Sequence, residues 1–428
     1  MNKRVISELD ESFVEYNHES GLKVQILLKP GYYKKFAMFS VNYGSIDSKF
    51  IVPGETTVTE VPDGVAHFLE HKLFEQKDRS VMDVYVEMGA SPNAFTTYDR
   101  TCYYFTCTEE FDKCFELLLN YVLNPYLTDE GVEKEKGIIG QEIRMYQDNP
   151  DWEVTVGLLN SLYYNNPVKK NIAGSVESIS NIDKEILYKC HKTFYHPSNM
   201  VVTVVGDVDE SRIIELVGKN IPEEKQGVIE RIIEKEPRSI ATGMSRKHMH
   251  VSAPAFQIGF KDNNAVLTGT NKMDHEIDCK IVNSLLFSSS SALYEELYNK
   301  GLIDSSFYYD YELSNSFAFS VLGGESPDPN KVMELICKYI ENVSKTGFDM
   351  KAFERVRNSG AGKFLKHFNS PEYIGRLLAS YYFMGIDVFN YFTSYGKISL
   401  DSVEQAFKEV FSPENMAISV IEPCGDME

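Results

Sequence analysis

The chain has 428 residues, 43% of them hydrophobic and 12% aromatic, so it folds into a globule too long for one core, and two domains of about 200 residues are expected. With 63 acidic against 43 basic residues the formal charge is −20 at pH 7, which argues against nucleic acid or an anionic membrane as the main partner and weakly favours cationic peptides. Seven scattered cysteines without a Cys-x-x-Cys pair, no apolar leader after Met1 and no run of roughly 18 apolar residues lead to the expectation of a cytoplasmic protein with free thiols.

In chain order, 23–29 (KVQILLK) and 36–43 (FAMFSVNY) carry the branched and aromatic residues of strands. A helix follows around His67, with Pro62-Asp63 as its expected cap, and a second runs from Ser80 to Met88, where Gly89 ends it. Residues 91–98 and 102–106 read as two strands about a turn at Asp99-Arg100. Helical patterns cover 111–123, 128–146, 150–163 and 182–194, and 199–205 (NMVVTVV) reads as a buried strand.

Chemistry concentrates in Gly64-Val65-Ala66-His67-Phe68-Leu69-Glu70-His71. Residues four apart share a helix face, so His67 and His71 can reach one Zn²⁺, with Glu70 beside the second imidazole. His-x-x-Glu-His is the inverted form of the zinc-protease signature. The same spacing also fits a surface helix whose histidines simply fall four apart. A third ligand is expected from the helix near residue 128, where Glu135 and Glu142 lie two turns apart on one face. Ile138, Ile139 and Ile143 mark its buried side, and a carboxylate bordering that side is costly unless paired or bound to metal. A solvated glutamate on an acidic helix is the plainer alternative.

Together, His-x-x-Glu-His, the Glu-x6-Glu helix about seventy residues later and Asn93-Ala94-Phe95-Thr96 between them resemble the M16 (pitrilysin-like) metallopeptidases, in the half-length form related to mitochondrial processing peptidase subunits. The resemblance implies His67, His71 and Glu142 as ligands of one zinc per chain, Glu70 as general base and Glu135 as support for a ligand histidine. It implies that Asn93, Ala94, Phe95 and Thr96 form an edge to which a peptide adds as a strand. On their own, Asn93-Ala94 would pass for a plain turn before a strand.

The second half echoes the first. Pro197-Ser198-Asn199-Met200 recurs as Pro413-Glu414-Asn415-Met416, and Gly89 and Phe95 recur as Gly301 and Phe307 at nearly the same offset. The fold class expected is α+β, with two homologous sandwich domains, each of helices on a mostly antiparallel sheet. The domains are expected at 1–221 (zinc-binding) and 248–428 (degenerate, without zinc ligands), joined by a charged linker at 222–247 in which 228–233 can form a strand. At the repeat offset His67, Glu70 and His71 fall on Cys279, Val282 and Asn283, so the second copy cannot hold zinc by the same scheme. A helix at 291–300 and strands near 305–311 and 317–322 would form its wall, and 373–383 reads as a core helix. The family's Arg and Tyr that grip peptide on the non-zinc side have no equivalent in 317–325, and Arg376 with Tyr381 or Tyr382 is the nearest such group, in a core-packing context. The function expected is therefore a zinc-dependent endopeptidase for short or unfolded peptides. Its chamber would be completed by a partner, in a homodimer or a heterodimer with a paralogous subunit. A non-catalytic peptide-binding or assembly subunit is the alternative.

Overall fold

The structure is a computed structural model that describes residues 1–424. Its elements gather into two units that exchange segments along the chain. Unit 1 comprises Met1–Ile143, Lys170–Ile233 and His367–Phe383, and unit 2 comprises Arg144–Lys169, Glu234–Lys366 and the chain from Met384 onward. This division departs from the consecutive 1–221 and 248–428 halves expected above.

Unit 1 is built on β1 (Asn2–Ile6), β2 (Glu11–Asn17), β3 (Lys23–Leu28), β4 (Lys35–Val41), β7 (Ser91–Thr96), β8 (Thr101–Cys107) and β9 (Met200–Gly206). These form a seven-stranded sheet in the order β1-β2-β3-β9-β4-β8-β7, in which the β3–β9 pair is parallel and every other pair antiparallel. All seven residues of β9 are buried, which its unbroken apolar run anticipates for a central strand. A small sheet of β5 (Lys49–Ile51), β6 (Val58–Glu60) and β10 (Glu230–Arg231) lies apart from it, so the strand expected at 228–233 exists in shortened form.

Helices α1 (Val65–Leu73) and α2 (Val81–Glu87) contact β7, while α3 (Phe111–Leu123) packs on β4 and β8. The unit also holds α4 (Asp129–Gln147), α6 (Val176–Ser180), α7 (Lys184–Phe194), α8 (Glu210–Asn220) and α13 (Pro371–Phe383). Helix α13 lies so close on β4 that a Cβ at Gly375 would meet the Phe36 ring at 2.2 Å. It completes a cluster with Phe36, Met38, Cys102, Tyr104 and Val201 through Ala379.

Unit 2 repeats the plan with β11 (Met244–Met249), β12 (Ala255–Asp262), β13 (Tyr308–Leu313), β14 (Ala318–Glu325) and β15 (Met416–Pro423). Its order, β11-β15-β12-β14-β13, again has one parallel pair, β11–β15, where unit 1 has β3–β9. Helix α5 (Pro150–Leu162) packs on β11, β12 and β15, which is why residues 144–169 leave the first half of the sequence for this unit. Asn149 caps α5 through the backbone of Asp151 and Trp152, with Pro150 in the first turn. Helices α9 (Gly269–Phe287), α10 (Ala292–Asn299), α11 (Pro329–Thr346), α12 (Met350–His367), α14 (Asn390–Lys397) and α15 (Leu400–Val410) complete it. The protein is thus α+β, two homologous sandwich domains of helices on mostly antiparallel sheets.

The charged stretch at 222–247 holds a boundary between the units and is bonded on each side of it: β10 pairs with β5 in unit 1, and Glu236 accepts the backbone N–H groups of Tyr164, Asn165 and Asn166 in unit 2. Two local expectations are corrected. Ile138 is 47% exposed while Ile139 and Ile143 are buried, because the buried stripe of α4 is narrow: residues four apart share it, and Ile138, turned about 100° from Ile139, falls outside it. The strand expected at 305–311 begins at Tyr308, since Asp304 first closes a turn by accepting the N–H of Ser306 and Phe307.

Candidate metal centre

Helix α1 starts abruptly. Neither Pro62 nor Asp63 caps it: Gly64 is the N-cap residue, at φ 96°, and makes no side-chain cap. A Cβ there would lie 2.5 Å from the Ala173 carbonyl oxygen, so only glycine permits both the left-handed turn and the crossing of the two chain segments. Asp63 instead holds the 170s segment, accepting from Lys170 with its carboxylate and from the Ser178 hydroxyl with its carbonyl.

From this start His67 and His71 project on one face with ring centroids 4.6 Å apart. Helix α4 brings Glu142 to them: Oε1 lies 3.7 Å from His67 Nε2, and Oε2 lies 3.5 Å from His71 Nε2. One ligand atom from each of the three residues lies within 4.8 Å of the others, a spacing that one cation can bridge. Two turns earlier on α4, Glu135 Oε1 hydrogen-bonds His71 Nδ1 at 3.0 Å, which leaves Nε2 turned toward Glu142. The His67 ring is only 8% exposed; its Nδ1 has no hydrogen-bond partner, and its Nε2 sits beyond hydrogen-bond distance of Glu142. A buried imidazole so poorly satisfied is expensive, and a cation shared with His71 and Glu142 would satisfy it.

Charge and burial pull the two imidazoles apart. Burial, reinforced by the neighbouring His71, lowers the His67 pKa to about 4, against the pull of Glu142 and Glu135. His71 is also disfavoured as a cation by burial, but its bond to Glu135 and the charges of Glu70, Glu135 and Glu142 outweigh this and raise its pKa. Burial likewise raises the Glu70 carboxyl, opposed chiefly by the bond from Thr96.

The third element is β7, at the end of the seven-stranded order. It pairs with β8 through Asn93↔Tyr104, Ala94↔Tyr103, Phe95↔Cys102 and Thr96↔Thr101. Asn93 is exposed and turns its Oδ1 to the N–H of Ala94. The Thr96 hydroxyl donates to Glu70 Oε2 at 2.6 Å, a link that the sequence reading did not foresee. Strand alternation could have raised it, since Ala94 and Thr96 share the face opposite Phe95. On the Phe95 face Arg376 of α13 stacks over Phe95 and Tyr104, at 4.5 and 4.7 Å from the ring centroids, and pairs with Glu372. Its aromatic partners are therefore these two rings of unit 1, in place of the expected Tyr381 or Tyr382.

Family models match in two pieces: the insulinase (peptidase family M16) model over residues 54–176, which contains the whole His67–Glu142 constellation, and the peptidase M16 inactive-domain model over 181–359. The chain is 39% identical over 419 residues to YmfH, an uncharacterized zinc protease of Bacillus subtilis, covering 97% of this chain and 98% of that protein. The chain belongs to the M16 peptidase family. A solved M16-like peptidase from Alicyclobacillus acidocaldarius superposes with a TM-score of 0.93 at 35% identity, over 97% of this chain and 99% of that one. The β subunit of the mitochondrial processing peptidase of Caenorhabditis elegans is 33% identical over 184 residues, 42% of this M16 chain and 40% of that protein. Among the described residues no helix is long and apolar enough to cross a membrane.

Proposed function

We propose that this M16 protein is a zinc-dependent endopeptidase acting on short or unfolded peptides. The observation that carries the reading is the convergence of His67, His71 and Glu142, with the buried His67 ring holding an Nδ1 that has no hydrogen-bond partner. These three residues would hold one Zn²⁺, and the fourth position of a tetrahedral site would stay open. When bound, zinc lowers the pKa of its water towards about 7 and polarises a carbonyl oxygen.

The protein's own groups do the rest. Glu70, beside the ligand His71, takes a proton from the attacking water and returns it to the leaving amine. Thr96 fixes which way that carboxylate points. Glu135 holds the His71 ring in the tautomer that keeps Nε2 for the metal. The free edge of β7, with Asn93, Ala94, Phe95 and Thr96, offers backbone groups to which an extended peptide adds as a strand.

We further read the active assembly as a dimer, with itself or with a paralogous M16 subunit, that completes the substrate chamber. The match of residues 181–359 to an inactive-domain model and the likeness to a named subunit of a processing peptidase support it. The deciding experiment measures zinc content and fluorogenic-peptide hydrolysis on the purified chain and on Glu70→Gln, with size-exclusion light scattering for the assembly. One zinc per chain at the His67–His71–Glu142 set, with activity lost only in the variant, is expected. Activity that survives Glu70→Gln would refute the role of Glu70, and a protein with no zinc at that set and no activity would favour a non-catalytic binding subunit.

A further inference from the structure

We infer that unit 2 carries a metal site of its own, formed by Asp262, His275 and Cys279 and suited to Zn²⁺ or a similar borderline divalent cation. His275 and Cys279 stand four apart on α9 and so share a face, while Asp262 is the last residue of β12. Their donor atoms are close: His275 Nε2 lies 2.7 Å from Asp262 Oδ2, Cys279 Sγ lies 3.6 Å from His275 Nε2, and Cys279 Sγ lies 4.0 Å from Asp262 Oδ2.

The arrangement is that of ligands around a point, not of a proton relay. In a nucleophile–His–carboxylate relay the acid and the nucleophile engage opposite ring nitrogens. Here both the carboxylate and the thiol approach the same atom, Nε2. Tetrahedral zinc with bonds of about 2.0–2.3 Å needs ligand edges of about 3.3–3.6 Å. The observed sulfur–nitrogen edge already fits, and small, opposite adjustments of the other two close the triangle. Other groups hold the carboxylate in place: the Tyr311 hydroxyl donates to Oδ2 at 2.6 Å and the Asn264 N–H to Oδ1 at 2.9 Å. The donor set of thiol, imidazole and carboxylate selects against Ca²⁺ and Mg²⁺, which take oxygen.

Burial decides the type of site. Asp262 is 3% exposed and Cys279 is fully buried, so no substrate reaches a bound ion, and Tyr311 supplies the nearest further oxygen. Such a site would pin β12, α9 and β13 together rather than do chemistry.

The test is a cobalt titration of the metal-stripped full chain, because Co²⁺ bound by a thiolate shows a near-ultraviolet charge-transfer band and the His67–His71–Glu142 set contains no sulfur. Two equivalents are expected in the unaltered protein, one of them with that band, and both should be displaced by Zn²⁺. Glu142→Ala should keep the band with one equivalent, whereas Cys279→Ser should lose the band and keep one equivalent. A single equivalent without the band in the unaltered chain overturns the proposal, whatever the variants do. So does a band that persists in folded Cys279→Ser. His275 and Asp262 would then be an ion pair beside an uninvolved thiol.

Discussion

Helices α1 and α9 hold related places in the two sheets, each against the edge strand that ends its strand order, β7 in one unit and β13 in the other. They solve different problems. On α1 the residues facing the edge are chemically unfinished: a carboxylate held through Thr96, and a buried imidazole whose Nδ1 has no hydrogen-bond partner. On α9 the corresponding polar group is closed off. Asn283, at the position of His71, donates to the Asp310 carbonyl and accepts from the Ser320 hydroxyl, so that position awaits no ligand. A duplicated scaffold can keep its strand order while one copy keeps an unpaired polar group at the sheet edge and the other closes the matching position with internal bonds. Stability and chemistry should therefore separate cleanly between the two helices when each is altered.

The sharpest separation is Glu70→Gln. It should lower peptide hydrolysis by about 10²–10⁴-fold while zinc content and melting temperature hold, as measured by a fluorogenic assay and elemental analysis. Glu135→Gln comes next. It loosens the His71 ring and should reduce zinc affinity or turnover by about 10–100-fold, read by chelator competition. Thr96→Val removes the hydroxyl that donates to Glu70; turnover should fall by about tenfold, the equivalent of one hydrogen bond to a charged group, with metal retained. On the other side, Asn283→Ala should leave kcat unchanged and cost about 1–3 kcal/mol in denaturant unfolding, because it strands the Asp310 carbonyl and the Ser320 hydroxyl. A large loss of kcat in this last variant, with the metal still bound, would erase the contrast between the helices.

The His67–His71–Glu142 cluster was legible because its signal is local. Two imidazoles four apart and a pair of acids two turns apart are constrained by helix geometry alone, and the structure brings them together as that geometry demands. The central strands were legible for the same reason: unbroken branched and aromatic runs such as β4 and β9 need no partner to be recognised, whereas β1 and β2, at one end of the strand order, carry no such run. What escaped depends on distant contacts. The Thr96–Glu70 bond joins positions that only the folded sheet brings together, and the use of Gly64 as N-cap is set by the crossing at Ala173. The placement of α5 and α13 in units other than their sequence neighbours depends on which sheet face each covers, and periodicity carries no record of that. The repeat offset also slips: Phe95 lies inside β7, whereas Phe307 stops one residue short of β13.

The seat of α13 has a consequence for how the molecule is made. Residues 371–383 cover Phe36 and its neighbours on β4 and β9, although they are synthesised more than three hundred residues after that sheet begins. This face of unit 1 therefore stays uncovered until most of the polypeptide has left the ribosome, and a nascent fragment that stops before residue 367 keeps a greasy patch open to chaperones and proteases. Closure of the unit 1 core is in this way tied to a helix made only after α9 to α12 of unit 2, so the first sheet to be synthesised is not the first to be finished.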